Sequence, residues 1–360
     1  MPHSVAAEVL NHWFGPAANA IAASTTASIA SIEPMTLGFS GAAVFRVRDS
    51  NGNSFALKRY PDATTIDRIV GIHRFMSLVY RRGCHLVPRL WPVLNSTETV
   101  VWDGTRGWEL VDWVAGSPIE TTTNPQALLD AVSKGAAAIA TVHRAAHSFD
   151  VQWQPAASVA VRIKRIEEIS ILLDRLIGEG RANVMSGKGS KQLDAGLCQS
   201  LLNAIDCLAH RWRRIAIPIS ASLRPLATER FSNQYVIRDV HREHLFFNNE
   251  GASRVSGIID FDAVRIDSPA TDLARWTTSF LSSGIEWSRL CNATFAGYRQ
   301  AWELSDREEM LARRLAPATV WISLANWAVW VALQGRSFPV EPDRIAARIE
   351  ECLKSVEYLS

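Results

Sequence analysis

Two neighbouring segments constrain the fold of this chain more than any other part of its 360 residues. In the first, Asp239 lies in a polar stretch that leads into the apolar residues 245–247. In the second, the β-branched and apolar residues 255–259 end in two carboxylates, Asp260 and Asp262. Two short apolar runs separated by a polar turn predict a β-hairpin, with carboxylates before its first strand and after its second.

Carboxylates in these positions match the needs of phosphoryl transfer from a nucleotide. The reaction needs one carboxylate to accept the proton of the attacking hydroxyl group and another to hold the Mg²⁺ that bridges the phosphates. Asp239 is therefore the candidate catalytic base, and Asp260 is the candidate Mg²⁺ ligand, because a carboxylate at a strand end suits this hard cation. For Asp262 two roles are open, direct metal ligand or hydrogen-bond acceptor behind the metal.

Residues 236–276 resemble the aminoglycoside phosphotransferase and choline kinase-like family, whose members are related to protein kinases. That family carries the motif H-G-D-x-H-x-x-N, a short hairpin that ends in I-D-F, and a later D-L-A. Asp239 and His241 match the loop, Asp260 matches the metal-binding aspartate, and Asp272 begins the later element and supports the loop. The resemblance implies an α+β, two-lobed protein kinase-like fold that uses ATP and Mg²⁺ to phosphorylate a hydroxyl group of a small molecule.

The chain departs from this motif at two places. Ile237 and Arg238 replace the His-Gly pair before Asp239, and His244 occupies the position of the metal-binding asparagine. His244 is a candidate metal ligand that would favour Mn²⁺ over Mg²⁺, because imidazole suits softer cations. Its alternative role is a hydrogen bond to a phosphate or to a metal-bound water. These departures keep a second interpretation open, a catalytically weak or inactive kinase-like protein that binds a nucleotide or a partner.

The N-terminal third has the pattern of a small kinase lobe. Residues 43–48 and 54–60 alternate between apolar and polar side chains around a turn at Asn51-Gly52, which predicts a β-hairpin. A helix is expected at 67–82, followed by strands at 93–94, 99–102 and 107–113. The predicted organisation is an N-terminal helical extension at 1–30, an N-lobe at 31–116, and a helical C-lobe at 117–360 with the catalytic hairpin at 236–262.

The segment before this hairpin is the candidate loop over the nucleotide phosphates. The small residues Gly38, Ser40 and Gly41 would let backbone N–H groups approach the phosphates. Lys58, on the second strand of the hairpin, is expected to bind phosphates as a point charge. Its acidic partner is not evident: Asp67 is one candidate, and the absence of an ion pair is the alternative.

Glu109 and Val111 lie in the segment that is predicted to join the two lobes. Backbone groups of such a connector can hydrogen-bond the edge of the adenine, so both residues are candidates for nucleotide binding through their main chain. An ordinary edge strand is the alternative interpretation of the same residues. Side-chain identity carries little information about a role that the backbone performs.

The bulk properties exclude several classes of function. A formal net charge of only +2, with acids and bases interspersed, predicts neither nucleic-acid nor membrane-surface binding. Five scattered cysteines and an N-terminus unlike a signal peptide predict a cytoplasmic protein without disulfides. Residues 315–333 are apolar, yet Pro317 and Asn326 interrupt them, so a buried helix is expected instead of a membrane span. Arg238 and Arg242 beside the catalytic loop favour a neutral or anionic acceptor, such as a sugar, over a cationic aminoglycoside.

Three further elements are expected outside the catalytic hairpin. An N-terminal helix is predicted at 4–23, with a break near Gly15-Pro16. The glycine- and serine-rich residues 178–191 contain few apolar side chains, which predicts a mobile loop. A helix is predicted to follow this loop at 194–214.

Overall fold

The computed structural model describes residues 2–15, 28–36, 38–119, 124–147, 149–188, 193–248 and 254–359. The first helix, α1 (Pro2–Phe14), is followed by Gly15, whose φ of +80° is the left-handed backbone that commonly ends a helix. The predicted break near Gly15 is confirmed, whereas residues 16–23 of the predicted helix lie outside the described part of the chain. Apolar side chains of α1 pack into the core of the N-terminal lobe, among them Val9, Leu10 and Trp13.

The N-terminal lobe is built on five antiparallel strands and one helix. These elements are β1 (Ile29–Pro34), β2 (Ala43–Asp49), β3 (Ser54–Arg59), α2 (Ile66–Arg81), β4 (Val101–Trp102) and β5 (Gly107–Asp112). The strands lie in the order β1-β2-β3-β5-β4. The predicted hairpin is confirmed as β2 and β3: the Asp49 carboxylate accepts the N–H groups of Asn51 and Asn53 at 2.9 and 2.8 Å, and Gly52 has a φ of +85°.

The strand predicted at 93–94 is wrong. Val93 donates its N–H to the Glu98 carbonyl at 2.7 Å, which closes a turn that contains Asn95 with a left-handed φ of 58°. This turn also delays the strand predicted at 99–102, so that only Val101–Trp102 pairs with β5. Local turn chemistry therefore prevailed over the β propensity of the apolar residues.

The C-terminal lobe is mainly helical. Its helices are α3 (Pro125–His147), α4 (Ala157–Arg175), α5 (Arg181–Met185), α6 (Ala195–Leu223), α7 (Ala270–Thr278), α8 (Trp287–Arg299), α9 (Asp306–Ala328) and α10 (Pro342–Glu357). Side-chain caps begin several of them: the Asp194 carboxylate accepts the Leu197 N–H at the start of α6, and Ser305 forms a capping box with Glu308 at the start of α9. The helix predicted at 194–214 therefore exists and continues to Leu223.

Six short strands complete the C-terminal lobe in two three-stranded sheets. They are β6 (Ser117–Pro118), β7 (Gln152–Pro155), β8 (Arg230–Val236), β9 (Leu245–Phe247), β10 (Val255–Ile258) and β11 (Arg265–Asp267). One sheet has the order β10-β9-β6 and the other the order β11-β8-β7. The predicted catalytic hairpin is the antiparallel pair β9 and β10. Since β6 pairs with β9, the segment that leaves β5 is attached directly to this hairpin.

The loop predicted at 178–191 is wrong for residues 178–185, which are helical, whereas residues 186–188 form a turn. A π-helical turn, Leu176–Gly180, continues α4 and leads into α5. Leu176 and Val184 are buried in the core of the C-terminal lobe, so tertiary packing holds a helix where the local composition favours a loop. Residues 189–191 of the predicted loop lie outside the described part of the chain.

The helix that continues α9 to Leu333 is long and apolar enough to cross a membrane, but 67% of its apolar window is buried inside the protein. Trp321 and Trp327 are among the buried side chains. The expectation of a buried helix is therefore confirmed, and the helix forms part of the core against which the rest of the lobe packs.

Candidate active site

The backbone of the catalytic loop is held by a buried carboxylate. Asp272, in the first turn of α7, accepts the N–H groups of Ile237 and Arg238 at 2.7 and 2.6 Å. His143 of α3 binds the same carboxylate through Nε2 at 2.9 Å. All of these contacts lie in the interior, where an unpaired carboxylate would be costly. The expectation that Asp272 supports the loop is thereby confirmed.

Close packing fixes the position of α7. Trp276 donates its indole N–H to the Val132 carbonyl of α3 at 3.0 Å, and its ring lies where a Cβ on Gly135 would come within 2.1 Å. Only glycine lets α3 approach the ring this closely. Because α7 carries Asp272 and Arg275, this contact also determines where the catalytic loop lies.

Arg238 occupies a backbone conformation that favours glycine. Its φ is 68°, in the left-handed region, at the position where the family motif has glycine. A non-glycine residue there costs about 1–2 kcal/mol. The bond from its N–H to Asp272 compensates, so the loop keeps its shape although the glycine is absent. The Arg238 guanidinium lies 3.7 Å from the Asp267 carboxylate.

Asp239 points out of this loop into a cleft. Its side chain is 52% exposed, and its Oδ1 accepts a hydrogen bond from Arg275 Nε at 2.9 Å. Arg275 therefore fixes one carboxylate oxygen of the predicted base, and the other oxygen, Oδ2, takes no part in that bond. Sequence reasoning missed Arg275, although it directly follows the matched D-L-A element.

His244 and Asp260 face each other across the cleft. His244 Nδ1 lies 2.8 Å from the Asp239 carbonyl, which can only accept, so Nδ1 carries the hydrogen. In the neutral ring Nε2 then has a lone pair, and it lies 3.6 Å from Asp260 Oδ2. Two acceptors at this distance repel unless a proton or a cation lies between them. The structure thus brings together His244 and Asp260, the two residues predicted as metal ligands, and each of them offers an electron-donating atom.

Asp260 follows β10 with a φ of 62°, which turns its carboxylate towards β3 of the N-terminal lobe. There Lys58 Nζ lies 2.6 Å from Asp262 Oδ1 and 3.8 Å from Asp260 Oδ1. The suggested partner Asp67 is therefore wrong: it lies exposed in the first turn of α2, and the acidic partners come from the distant hairpin. An ion pair across 204 positions of the chain leaves no local signal in the sequence.

Charge balance decides the protonation of this cluster. Burial alone would lower the pKa of Lys58, yet Asp262, Asp260 and Glu109 together raise it above its ordinary range. Burial raises the pKa of Asp260, but Lys58 and His244 outweigh this effect and lower it. For Asp262, burial and the neighbouring Asp260 charge raise the pKa although Lys58 opposes them. One ammonium group therefore stands among three carboxylates, which is a setting that favours a divalent cation.

Glu109 occupies a different place from the one predicted. It lies with Val111 inside β5, paired with β3, and residues 113–116 connect β5 to β6 of the C-terminal lobe instead. Its carboxylate is buried and accepts hydrogen bonds from Tyr60 Oη and His73 Nε2, each at 2.6 Å. Burial raises the pKa of Glu109, but the hydrogen bonds from His73 and Tyr60 and the charges of His73 and Lys58 together outweigh burial and lower the pKa. The nucleotide-binding role of Glu109 and Val111 stays a prediction.

This arrangement shows which acid helps to hold Lys58. Lys58 and Glu109 are cross-strand partners in β3 and β5. His73 of α2 fixes the Glu109 carboxylate and binds Thr99 Oγ1 through Nδ1 at 2.7 Å. A charged residue between the apolar Trp108 and Leu110 was the available signal.

The small residues of the candidate phosphate loop lie between β1 and β2. Gly38 and Ser40 flank Phe39, the Ser40 hydroxyl accepts the Ala42 N–H at 3.3 Å, and Gly41 has a φ of 81°. Leu37 lies outside the described residues. The Phe39 ring packs edge-on against Trp327 of α9 with ring centres 5.1 Å apart. The loop therefore reaches across the cleft to the C-terminal lobe.

A cavity of about 790 Å³ opens beside Asp239 and beneath Phe39. Its walls come from α4, α7, α9 and α10, with Arg162, Arg275 and Trp327 among the lining side chains. Within the described residues, no group of three or more His, Cys, Asp or Glu side chains could hold a metal ion by itself. Two protein ligands are sufficient for Mg²⁺, which commonly takes its remaining ligands from phosphates and water.

Comparison with known proteins assigns this architecture. A sequence model of the phosphotransferase enzyme family matches residues 31–313, and a search of curated proteins gives no match. An aminoglycoside phosphotransferase from Alicyclobacillus acidocaldarius has a similar structure, with 17% identity, a TM-score of 0.58, and coverage of 91% of this chain and 90% of its own.

Two further solved structures are similar. Amicoumacin kinase, solved with AMP-PNP, Ca²⁺ and its substrate, shares 13% identity with a TM-score of 0.58, covering 98% of this chain and 92% of its own. A microcompartment-associated aminopropanol kinase shares 14% identity with a TM-score of 0.59, covering 99% of this chain and 97% of its own. These similarities confirm the predicted α+β, two-lobed kinase-like fold.

Proposed function

The chain belongs to the phosphotransferase enzyme family, and from this premise we propose that it transfers the γ-phosphoryl group of ATP to a hydroxyl group of a small molecule. The observation that carries the proposal is that Lys58 of the N-terminal lobe meets Asp239 and Asp260 of the distant catalytic hairpin at one cleft. In this proposal the N-lobe at 31–116 binds the nucleotide, and the C-lobe at 117–360 binds the acceptor.

Lys58 binds the nucleotide phosphates, and the backbone N–H groups of Gly38, Ser40 and Gly41 cover them. The raised pKa of Lys58 supports this role, because the side chain stays charged throughout the physiological range. Glu109 keeps Lys58 in place by its charge, and the main chain of β5, including Val111, lies beside the nucleotide. Preorganised charge of this kind supplies much of the stabilisation in phosphoryl transfer.

Asp260 and His244 would hold the divalent cation, Mg²⁺ or Mn²⁺, which would neutralise the charge that develops on the phosphates. The 3.6 Å between Asp260 Oδ2 and His244 Nε2 supports the assignment, because a carboxylate oxygen and an imidazole nitrogen this close can ligate one cation. AMP-PNP and Ca²⁺ in the similar amicoumacin kinase support the use of a nucleotide with a divalent cation.

Asp239 accepts the proton of the acceptor hydroxyl group and orients this group towards the γ-phosphorus. Arg275 holds one carboxylate oxygen, which leaves the other for the substrate. The role demands little covalent chemistry from the protein, since positioning and charge neutralisation supply most of the rate increase in this reaction. A cytoplasmic location, where ATP is abundant, belongs to the same proposal.

A second candidate function is nucleotide binding without efficient transfer. Arg238 and His244, at positions where the family has glycine and asparagine, are the observations that favour it. Against it stand the supported loop backbone and the pairing of Asp260 with His244 in the candidate metal site, which an inactive protein has no need to keep in this geometry.

The test is binding of Mg·ATP, measured by thermal shift and calorimetry. Lys58→Ala should weaken binding by about 10- to 100-fold, because a charge-assisted contact to phosphate is lost. Lys354→Ala removes an exposed lysine of α10 and is the matched control. A folded wild-type protein that shows no shift at millimolar Mg·ATP would contradict both candidate functions. Binding without any transfer to an acceptor would favour the second.

A further inference from the structure

The cavity beside Asp239 carries an excess of positive charge. Six cationic side chains line it, against three carboxylates. The cations are Arg162, Lys164, Arg165, Arg242, Arg275 and Arg348. The carboxylates are Glu168, Asp239 and Glu351. A cleft walled by one sign of charge concentrates ligands of the opposite sign.

Most of these cations already have an acidic partner. Arg165 binds Glu168 at 2.8 Å, and Arg275 binds Asp239 at 2.9 Å. Arg242 and Arg348 share the Glu351 carboxylate at 2.7 and 2.8 Å, and Arg348 also binds Glu243 at 2.6 Å. These pairs fix the arginines in position, so that the walls of the cavity are preorganised and do not collapse onto one another.

Arg162 is the exception. Its guanidinium binds the Thr319 hydroxyl at 3.0 and 3.2 Å and the Ser158 carbonyl at 3.3 Å, and no described residue gives it an ion pair. The acid whose charge acts on Arg162 is Asp267, a buried residue that is not among the described residues that line the cavity. Burial, with the added charges of Arg238 and Arg275, lowers the pKa of Arg162 to about 10 despite Asp267.

Arg162 is thus a partly buried cation whose described hydrogen bonds go only to a hydroxyl group and a carbonyl oxygen. Such a cation is costly without a compensating charge. A ligand that brings negative charge would supply that charge.

We propose that this cavity binds the acceptor, and that the acceptor is an anionic compound that carries a hydroxyl group together with a carboxylate or phosphate group. The inference rests on the proposed phosphotransferase function. Arg162 binds the anionic group, and Asp239 receives the hydroxyl group at the other end of the cavity. Trp327 and Trp330 cover the apolar part of the compound. A cationic acceptor, such as an aminoglycoside, would instead meet walls whose described charges are positive in excess.

A matched panel of acceptors tests the charge. Gluconate, glucose and glucosamine have similar carbon skeletons and carry a negative, zero and positive charge. Phosphoryl transfer from Mg·ATP should be fastest to gluconate and slowest to glucosamine, and glucose 6-phosphate should exceed glucose if phosphate is the preferred group. Faster transfer to glucosamine than to gluconate would overturn the inference while leaving the phosphotransferase function intact.

Binding of inorganic sulfate, measured by calorimetry, tests the site even if none of these sugars is phosphorylated. Arg162→Gln should weaken sulfate binding by about 10- to 100-fold, because a hydrogen bond to a charged group is lost. Arg213→Gln is the matched control, since Arg213 is 71% exposed on α6 and pairs with Asp174 away from the cavity. Sulfate binding that is equal in Arg162→Gln and wild type, or absent from both, would overturn the inference.

Two further variants keep the outcome unambiguous. Sulfate binding that disappears in Lys58→Ala but persists in Arg162→Gln would assign the ion to the nucleotide site and also overturn the inference.

If Arg162→Gln does not fold, Lys164→Glu replaces it, because the Lys164 side chain is 79% exposed. Reversing the charge at this position should lower the affinity for sulfate about threefold. Sulfate binding without any binding of Mg·ATP would leave the anion site standing and reject the phosphotransferase proposal.

Discussion

The two halves of the cleft have opposite electrostatic character. The half that we propose to bind the nucleotide, the nucleotide half, sets Lys58 among the carboxylates of Asp260, Asp262 and Glu109. The half that we propose to bind the acceptor, the acceptor half, sets six cations against three carboxylates among the described residues. An acidic half can take up a divalent cation with its nucleotide, and a basic half can take up an anion. The difference indicates that each half is suited to a different ligand. The nucleotide is common to reactions of this kind, whereas the acceptor distinguishes one enzyme from another.

The two halves meet at Asp239, and the strongest test of the comparison separates Asp239 from Asp260. Asp239→Asn should lower kcat by about 10²- to 10⁴-fold and leave the affinity for Mg·ATP unchanged, because it removes a base and no phosphate contact. Asp260→Asn should lower kcat at least as much and also abolish the metal dependence of nucleotide binding. Transfer to gluconate and calorimetry with Mg·ATP are the measurements.

A matched control for both variants is Asp174→Asn, which removes a carboxylate that is 78% exposed and lies outside the cleft. Wild-type turnover in Asp239→Asn would show that the acceptor half contains a different base. If the metal-dependent binding of the nucleotide is unchanged in Asp260→Asn, Asp260 is not a metal ligand. The contrast between the two halves would then be lost.

The nucleotide half is also the half that the sequence predicted. Asp239, Asp260 and Lys58 lie in short motifs whose local pattern, a polar loop, an apolar strand and an alternating strand, determines their place in the fold. The partner of Lys58 escaped prediction because Asp262 is 204 positions away. Glu109 was assigned a backbone role because the pattern of β5 reports its burial and not what its side chain faces.

The acceptor half could not be predicted, because four helices assemble it. Arg162 on α4 and Arg348 on α10 line one cavity, although nothing in either segment refers to the other. Arg238 and Arg242 beside the catalytic loop did suggest a positive environment, and the structure extends it with arginines from α4, α7 and α10. Helical periodicity predicts which face of a helix is buried, but not which charged side chains from different helices share a cavity.

The contrast also predicts how the acidic half depends on pH. Glu109→Gln should lower the free energy of unfolding at pH 7 by about 1–3 kcal/mol, because the bonds from Tyr60 and His73 weaken. The pKa of Glu109 is lowered from 4.5 by folding, so its stabilisation is complete above that value and is lost as the pH falls through the folded-state pKa. The difference between wild type and variant should therefore shrink below pH 4.5.

Urea unfolding at a series of pH values provides this measurement. Glu179→Gln is the control, since Glu179 is 59% exposed and pairs only with Arg175 four residues away. Equal stability of Glu109→Gln and wild type at pH 7 would show that the buried carboxylate does not hold the Lys58 side of the cleft together. A difference that grows towards low pH would reverse the sign of the argument.

The smallest expected effect concerns His244, where the acidic half departs from the family. If its Nε2 binds metal opposite Asp260, the ratio of activity with Mn²⁺ to activity with Mg²⁺ should fall by about three- to tenfold in His244→Asn, because an amide oxygen is a harder ligand than imidazole. His210→Asn is a close control: His210 Nδ1 binds the Asp206 carbonyl at 2.7 Å, as His244 Nδ1 binds the Asp239 carbonyl at 2.8 Å, but His210 lies exposed on α6. If His244 donates to a phosphate instead, the asparagine variant would change the affinity for ATP and leave the metal ratio as it was. The ratio of activity with Mn²⁺ to activity with Mg²⁺ therefore decides between two arrangements. Either the His244 imidazole binds the metal in place of the family's asparagine, or Asp260 alone supplies the protein ligand of the acidic half.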